Sequence, residues 1–239
     1  TGKGVENMET KIDPQEITIR ELYTLSATAA QEYLAGFRYP WEALAGIAAF
    51  VQTLQKRLPA EEYEEILPGV FLARDARIAS GAVFFAPTVI GHESEVRPGA
   101  YLRGSVLVGN GCVVGNSTEL KNCILFDGVQ VPHYNYVGDS VLGKGAHMGA
   151  GALTSNVKGD KTPVTILCGE ERLTTGRKKC GAFLGDGAEI GCGAVLNPGT
   201  VIGRNSRVYP LVSVRGCIPA GYLVKGTDRV EKILYFGAE

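Results

Sequence analysis

The chain has 239 residues, 45% of them hydrophobic, and its 24 basic and 25 acidic side chains give a formal net charge of -1. That balance supplies no basic surface for nucleic acid, and no apolar run reaches the roughly 18 residues that a membrane span needs. Nothing near the start reads as a signal peptide, and Thr1 to Asn7 ahead of Met8 read as a remnant; with six cysteines and no C-x-x-C pair, the expectation is a reduced, cytoplasmic protein of one elongated domain plus a small appendage.

The appendage comes first. Ser26 is placed to cap a helix over Ala27 to Phe37, and Pro40 opens a second that puts Trp41, Leu44, Ile47, Ala48, Val51 and Leu54 on one face. A third short helix is predicted after Pro59. These helices, residues 1–66, are read either as a lid on the open end of the domain that follows or as a docking arm.

From Leu72 the pattern changes to a six-residue repeat. Leu72, Ile78, Phe84, Ile90, Val96, Leu102, Val108, Val114, Leu120 and Phe126 are all large and apolar, and small or medium uncharged residues such as Ala76, Ala82, Thr88 and Ser94 follow four places later. The repeat resumes at Leu184, Ile190, Leu196, Ile202, Val208 and Val214. One such unit buries its apolar residue only by stacking on neighbours, so the pattern predicts a parallel β-helix with about seven triangular coils, each climbing ~4.8 Å. The fold class expected for residues 67–239 is therefore all-β, a single-stranded left-handed parallel β-helix of hexapeptide repeats, left-handed against the usual sense of parallel crossovers.

Two interruptions break the prism. Between Phe126 and Met148 the apolar positions Pro132, Val137, Leu142 and Met148 come at intervals of five, five and six, which predicts short turns that redirect side chains outward. After Asn156 the repeat stops until Phe183. This insertion, near 157–183, alternates over Val164 to Cys168 and Arg172 to Thr175 around Gly169-Glu170-Glu171, the mark of a protruding hairpin. Arg172, Arg177, Lys178 and Lys179 make it basic, which suits either a phosphate-bearing ligand or plain solubility.

Only three histidines exist, His92, His133 and His147. Arg97, Gly115 and His133 are each 18 apart and are expected in one column, with Gly115 leaving an open shelf between a cation and an imidazole. Histidine titrates near neutrality, so such a shelf suits an anionic substrate and a proton transfer.

The stretches VRPGAYLRG, VVGNSTELKN and PHYNYVGDSVLGKGAHMGAGALTSN, from Val96 to Asn156, resemble the acetyltransferase domain of the bifunctional UDP-N-acetylglucosamine pyrophosphorylase and glucosamine-1-phosphate acetyltransferase. The later coils match it only as generic hexads. The resemblance implies His133 as general base and Glu119 as its supporting carboxylate. It also implies Arg97, Lys121 and Tyr136 as groups that hold the sugar phosphate, Asn156 near the acceptor amine, and Ala150 along a groove for acetyl-CoA between adjacent prisms of a homotrimer. His147 stands where the family has an asparagine that contacts substrate, and the hairpin has no counterpart in it. The function implied is acetyl-CoA-dependent acyl transfer to an amino-sugar phosphate or a sugar nucleotide, with no metal. Two other classes stay open: a non-catalytic sugar-phosphate or nucleotide-binding regulatory prism, and a zinc hydratase of carbonic-anhydrase type, for which His133 and His147, 14 apart, lie close to one coil.

Overall fold

The computed structural model describes residues 12–226 and 229–232. Thr1 to Asn7 lie outside them, as do the first residues of the helical segment. Among the described residues, no helix is long and apolar enough to cross a membrane.

The hexads form a parallel β-helix with three faces. One face stacks Val70–Ala73, Thr88–Ile90, Val106–Val108, the second half of Glu119–Leu125, the second half of Tyr136–Leu142, Ala182–Leu184, Thr200–Ile202 and Cys217–Ile218. A second carries both site histidines, in Gln130–His133 and His147–Met148, within a stack from Arg77–Ile78 to Tyr222–Gly226. The third runs from Val83–Phe84 through the first halves of Glu119–Leu125 and Tyr136–Leu142 to Ser213–Val214. Both ends are finished by antiparallel strands, Tyr63–Leu67 on Val70–Ala73 and Arg229–Lys232 on Tyr222–Gly226, which cover sheet edges that would otherwise invite pairing. The sequence boundary at residue 66 would cut the first of these strands.

The first face differs from the other two. In each of its triplets the outer residues point into the prism and the middle one points out, because side chains alternate along a strand. Those middle residues, Val89, Leu107, Ile124, Val141, Phe183 and Val201, are nonetheless buried. The helical segment covers them. Ile47–Gln55 packs on the strands at Thr88, Val106 and Glu119. Trp41 lies 5.8 Å from the Phe183 ring, and the Tyr23 hydroxyl donates to the Val141 carbonyl. The helices thus run along the side of the prism; they neither close its end nor stand free as an arm.

Their boundaries also depart from the pattern. The expected helix Ala27 to Phe37 is a 3-10 turn, Leu25–Ala27, then extended Thr28, whose hydroxyl accepts from the Ala30 amide, then a short helix Gln31–Ala35. The second splits into Pro40–Ala43 and Ile47–Gln55 around Gly46, where a Cβ would strike the Tyr33 hydroxyl. After Pro59 there is a turn, not a helix.

The insertion does not protrude. Its hairpin, Thr165–Cys168 with Glu171–Thr174, lies over the same face where the helices leave off, on Thr200–Ile202 and Cys217–Ile218, and it buries Val164, Ile166 and Cys168. Cys112 and Cys180 are buried thiols, each pushed by desolvation up to about 12 and so held protonated.

The repeat slips earlier than the sequence suggests. Leu120 pairs with Leu102, but Leu125 already pairs with Val108, so the corner at Lys121 and Asn122 is one residue short. Leu125 takes the inward place assigned to Phe126, and Val131, not Pro132, fills the next coil. Phe126 occupies the corner slot that Gly109 and Gly143 hold in neighbouring coils and packs 5.1 Å from the Tyr23 ring. The corner at Gly138 and Asp139 is short in the same way. Asn122 and Asp139 turn these corners at φ 49° and 50°, in the left-handed region that Asn and Asp tolerate better than most residues.

Because Phe183 is buried beneath Trp41 rather than exposed on a strand, Phe183→Ala should destabilise the protein by about 3–5 kcal/mol in urea unfolding; a surface side chain would change it by less than about 0.5 kcal/mol.

Candidate active site

The structure divides the sequence-predicted residues into two groups on either side of one corner. Tyr136, Lys121 and Asn156 meet at the short corners of the third face, around a carboxylate that sequence reasoning missed. Asp139 has a side chain only 1% exposed. It accepts from Lys121 Nζ at 2.9 and 3.1 Å, from Asn122 Nδ2 at 2.8 Å and from Asn156 Nδ2 at 2.6 Å. A buried carboxylate is tolerated only when paired and hydrogen-bonded, and here every donor comes from an adjacent coil of the same corner. Asn122 also donates to the Leu44 carbonyl, which ties the cluster to the helical cover.

Asn156 Nδ2 also reaches the Tyr136 hydroxyl at 3.1 Å. Tyr136 accepts there, so its own proton is left for another acceptor. Burial, with Asp139 and Glu119 nearby, raises its pKa above the ordinary value of 10.0, so the hydroxyl stays protonated at neutral pH. Gly138 makes room for it, since a Cβ there would overlap the Tyr136 hydroxyl.

His133 stands at the end of its strand on the second face, exposed, with its amide donating to Asn135 Oδ1. The corner Tyr134-Asn135 separates it from Tyr136; Asn135 is buried and donates to the Gly149 and Ala152 carbonyls, which fixes that turn. Exposed Ala150 belongs to the next coil, where the Gly151 amide donates to the His133 carbonyl. Of the three histidines, two have rings bound to carboxylates: His92 to Asp75 and Glu62, and His147 Nδ1 to Glu189 at 3.0 Å. The ring of His133 has no such partner among the described residues.

Several expected contacts are replaced. The 18-residue column of Arg97, Gly115 and His133 fails at its last step: the short corner makes the step 17, so His133 pairs with Asn116 and Pro132 sits on Gly115. The open shelf is filled, since a Cβ on Gly115 would overlap the Pro132 carbonyl. Arg97 is bound by Glu95 at 2.8 Å. Glu119 is bound by Arg103 at 2.7 Å, and no hydrogen bond joins it to His133. His147 pairs in register with Gln130, three residues short of His133 in the adjacent coil, so the two imidazoles are not stacked. Among the described residues no group of histidine, cysteine and carboxylate side chains has the geometry to hold a metal.

The family model that matches describes the GMPPB C-terminal domain, over residues 66–172. Among curated proteins the chain is 35% identical over 150 residues to a bifunctional sugar-1-phosphate nucleotidylyltransferase/acetyltransferase of Sulfurisphaera tokodaii, covering 63% of this chain and 37% of that one. It is 30% identical over 190 residues to the bifunctional protein GlmU of Methanococcus maripaludis, 79% of this chain and 46% of the relative. To the uncharacterized acetyltransferase YaiX of Escherichia coli K12 it is 30% identical over 158 residues, 66% of this chain and 69% of that one. The chain thus spans less than half the length of the two bifunctional relatives.

Two outcomes check this geometry. Lys121→Met leaves the Asp139 carboxylate without its cation and should cost about 3–5 kcal/mol, most of it recovered in the pair Lys121→Met with Asp139→Asn, as read by urea unfolding. The hydrogen bond from Arg97, then the Arg97 and Arg77 charges, hold Glu95 below its ordinary 4.5 against partial burial. A depressed carboxyl contributes stability above the unfolded value that is lost as pH falls through the folded one. Stability measured across pH 5 to about 2.5 should therefore fall less steeply in Arg97→Gln than in the wild type.

Proposed function

The chain belongs to the family of GlmU- and YaiX-type acetyltransferases, and from that premise we propose that it transfers an acetyl group from acetyl-CoA to the amine of an amino-sugar phosphate or sugar nucleotide. The observation that carries this reading is the uncommitted imidazole of His133, one corner away from a hydroxyl that is itself held by Asn156 with its proton free. In the proposed reaction the acceptor amine attacks the thioester carbonyl, and neutral His133 takes the proton that nitrogen sheds as the bond forms. The Tyr136 proton, aimed away from Asn156, is available to the oxyanion of the tetrahedral intermediate. That intermediate collapses with cleavage of the carbon–sulfur bond, and the imidazolium returns its proton to the departing CoA thiolate. No metal and no acyl-enzyme enter the balance.

Asp139 acts here as a positioning residue, because it holds Asn156 and Lys121 and touches nothing that reacts. Glu119 is committed to Arg103, so His133 works in this scheme without a carboxylate behind it. His133 and Ala150 lie on an open wall, and the groove needed to hold CoA against them is supplied by the face of a second copy, in a closed homotrimer.

Release of free thiol from acetyl-CoA in the presence of a panel of amino sugars, phosphorylated and nucleotide-linked, tests the reading directly. His133→Gln should lower kcat by about 10²–10⁴ with an unchanged unfolding midpoint. No turnover across the panel by the wild-type protein overturns the proposal. Light scattering should give three times the chain mass, and a monomer would remove the shared groove.

A further inference from the structure

The two cations that the family resemblance implied for the sugar phosphate are already neutralised within the chain, Arg97 by Glu95 and Lys121 by Asp139, with Arg103 likewise held by Glu119. Free positive charge lies elsewhere. A cavity of about 470 Å³ opens between the insertion and the third face, with Lys158 and Arg172 on the insertion side and Arg215 and Asn197 on the prism side. Lys158 is shared with Asp160 at 3.3 Å, but neither Arg172 nor Arg215 has a carboxylate partner among the described residues. Three cations face one carboxylate, which leaves the cavity positive.

Its position follows from the register. Tyr136 pairs with Leu153, Thr154 with Leu196 and Leu196 with Val214, so Gly138, Ser155, Asn197 and Arg215 fall in one column at the same corner of successive coils. Ser155 lines the cavity and adjoins Asn156, which holds the Tyr136 hydroxyl. Arg215 is three coils from Gly138, about 14 Å at ~4.8 Å per coil. The column therefore lines up the corner of Tyr136 with the cavity, where Arg215 of the column faces Arg172 of the insertion. Guanidinium forks match the oxygens of phosphate in paired hydrogen bonds, and two of them beside an ammonium exceed what one phosphate requires.

We propose that the insertion builds the acceptor subsite, and that this cavity binds the diphosphate of a sugar nucleotide whose amine reaches the corner of Tyr136 and His133. The inference rests on the acyl-transfer reading and narrows its acceptor to a diphosphate-linked sugar. Its test is titration calorimetry on the full chain with three probes: inorganic pyrophosphate, uridine diphosphate and acetyl-CoA. Pyrophosphate and uridine diphosphate should both bind, and Arg172→Gln with Arg215→Gln should weaken them about tenfold or more while leaving acetyl-CoA unchanged. Lys178→Gln with Lys179→Gln, exposed cations of the same insertion outside the cavity, should leave all three affinities in place. Unchanged unfolding midpoints exclude misfolding.

The assignment is overturned if neither phosphate probe binds, or if the lysine pair weakens them as much as the arginine pair. It is overturned equally if the arginine pair loses acetyl-CoA instead, which would give the cavity to the donor. Acyl transfer to a nucleotide-linked amino sugar at the wild-type rate in the arginine pair would sink the cavity assignment and leave the acyltransferase reading standing. Pyrophosphate binding that depends on both arginines, with no acyl transfer to any amine, would do the reverse: it upholds the diphosphate site and removes the acyltransferase.

Discussion

The architecture turns on one face of the prism being apolar on both sides. A solenoid strand normally buries alternate side chains and wets the others, but here Val89, Leu107, Ile124, Val141, Phe183 and Val201 stack into an outward hydrophobic stripe. The stripe must be covered, and it is covered from within the chain. Helices take its first part and the inserted hairpin the last, with Cys168 of the hairpin against the Ile12 carbonyl where the two covers meet. That leaves the second and third faces, those carrying His133 and Tyr136, as the walls open to ligands or to another copy.

The same cover shapes the candidate site. The corner between the third and first faces is shortened at Lys121-Asn122 and again at Gly138-Asp139, and one coil later the chain leaves that corner altogether to make the insertion. Asp139 turns the second shortened corner and is buried there, and burial requires it to collect donors. Lys121, Asn122 and Asn156 supply them, and Asn122 bonds onward to the helix carbonyl at Leu44. One irregular corner thus joins cover, insertion and site, so the placement of Asn156 beside Tyr136 depends on packing on the far side of the strand.

The mechanism proposed for His133 and the cavity proposed for the acceptor draw on different parts of this arrangement. His133 and Ala150 sit on the second face, where the hexads are regular apart from the shortened step. The cavity with Arg172 and Arg215 exists only because the insertion folds back. The first group is the one that the resemblance implied. In the second, Arg172 belongs to an insertion outside the stacked hexads, which is the kind of place where acceptor choice can change without disturbing the chemistry.

The inward column from Leu72 to Leu120 and again from Leu184 to Val214 was legible in the residues alone, because in a solenoid each coil contacts only its neighbours and periodicity along the chain becomes stacking in space. Lys121, Tyr136 and Asn156 were each singled out through their motif, the first two grouped with Arg97 and Asn156 apart from them, but their meeting around one carboxylate was not legible. Tertiary structure decided the rest. Phe126 and Leu125 are both apolar, and which of them points inward depends on a corner one residue short and on Tyr23 waiting outside it. Arg97 and Glu119 were free to bind phosphate or imidazole until folding placed Glu95 and Arg103 beside them. The outward stripe, with steps of 18 from Val89 to Leu107, 17 to Ile124, 17 to Val141, 42 across the insertion to Phe183 and 18 to Val201, was present in the sequence, but what covers it lies 80 or more residues away in several cases, and contacts at that separation leave no local period to read.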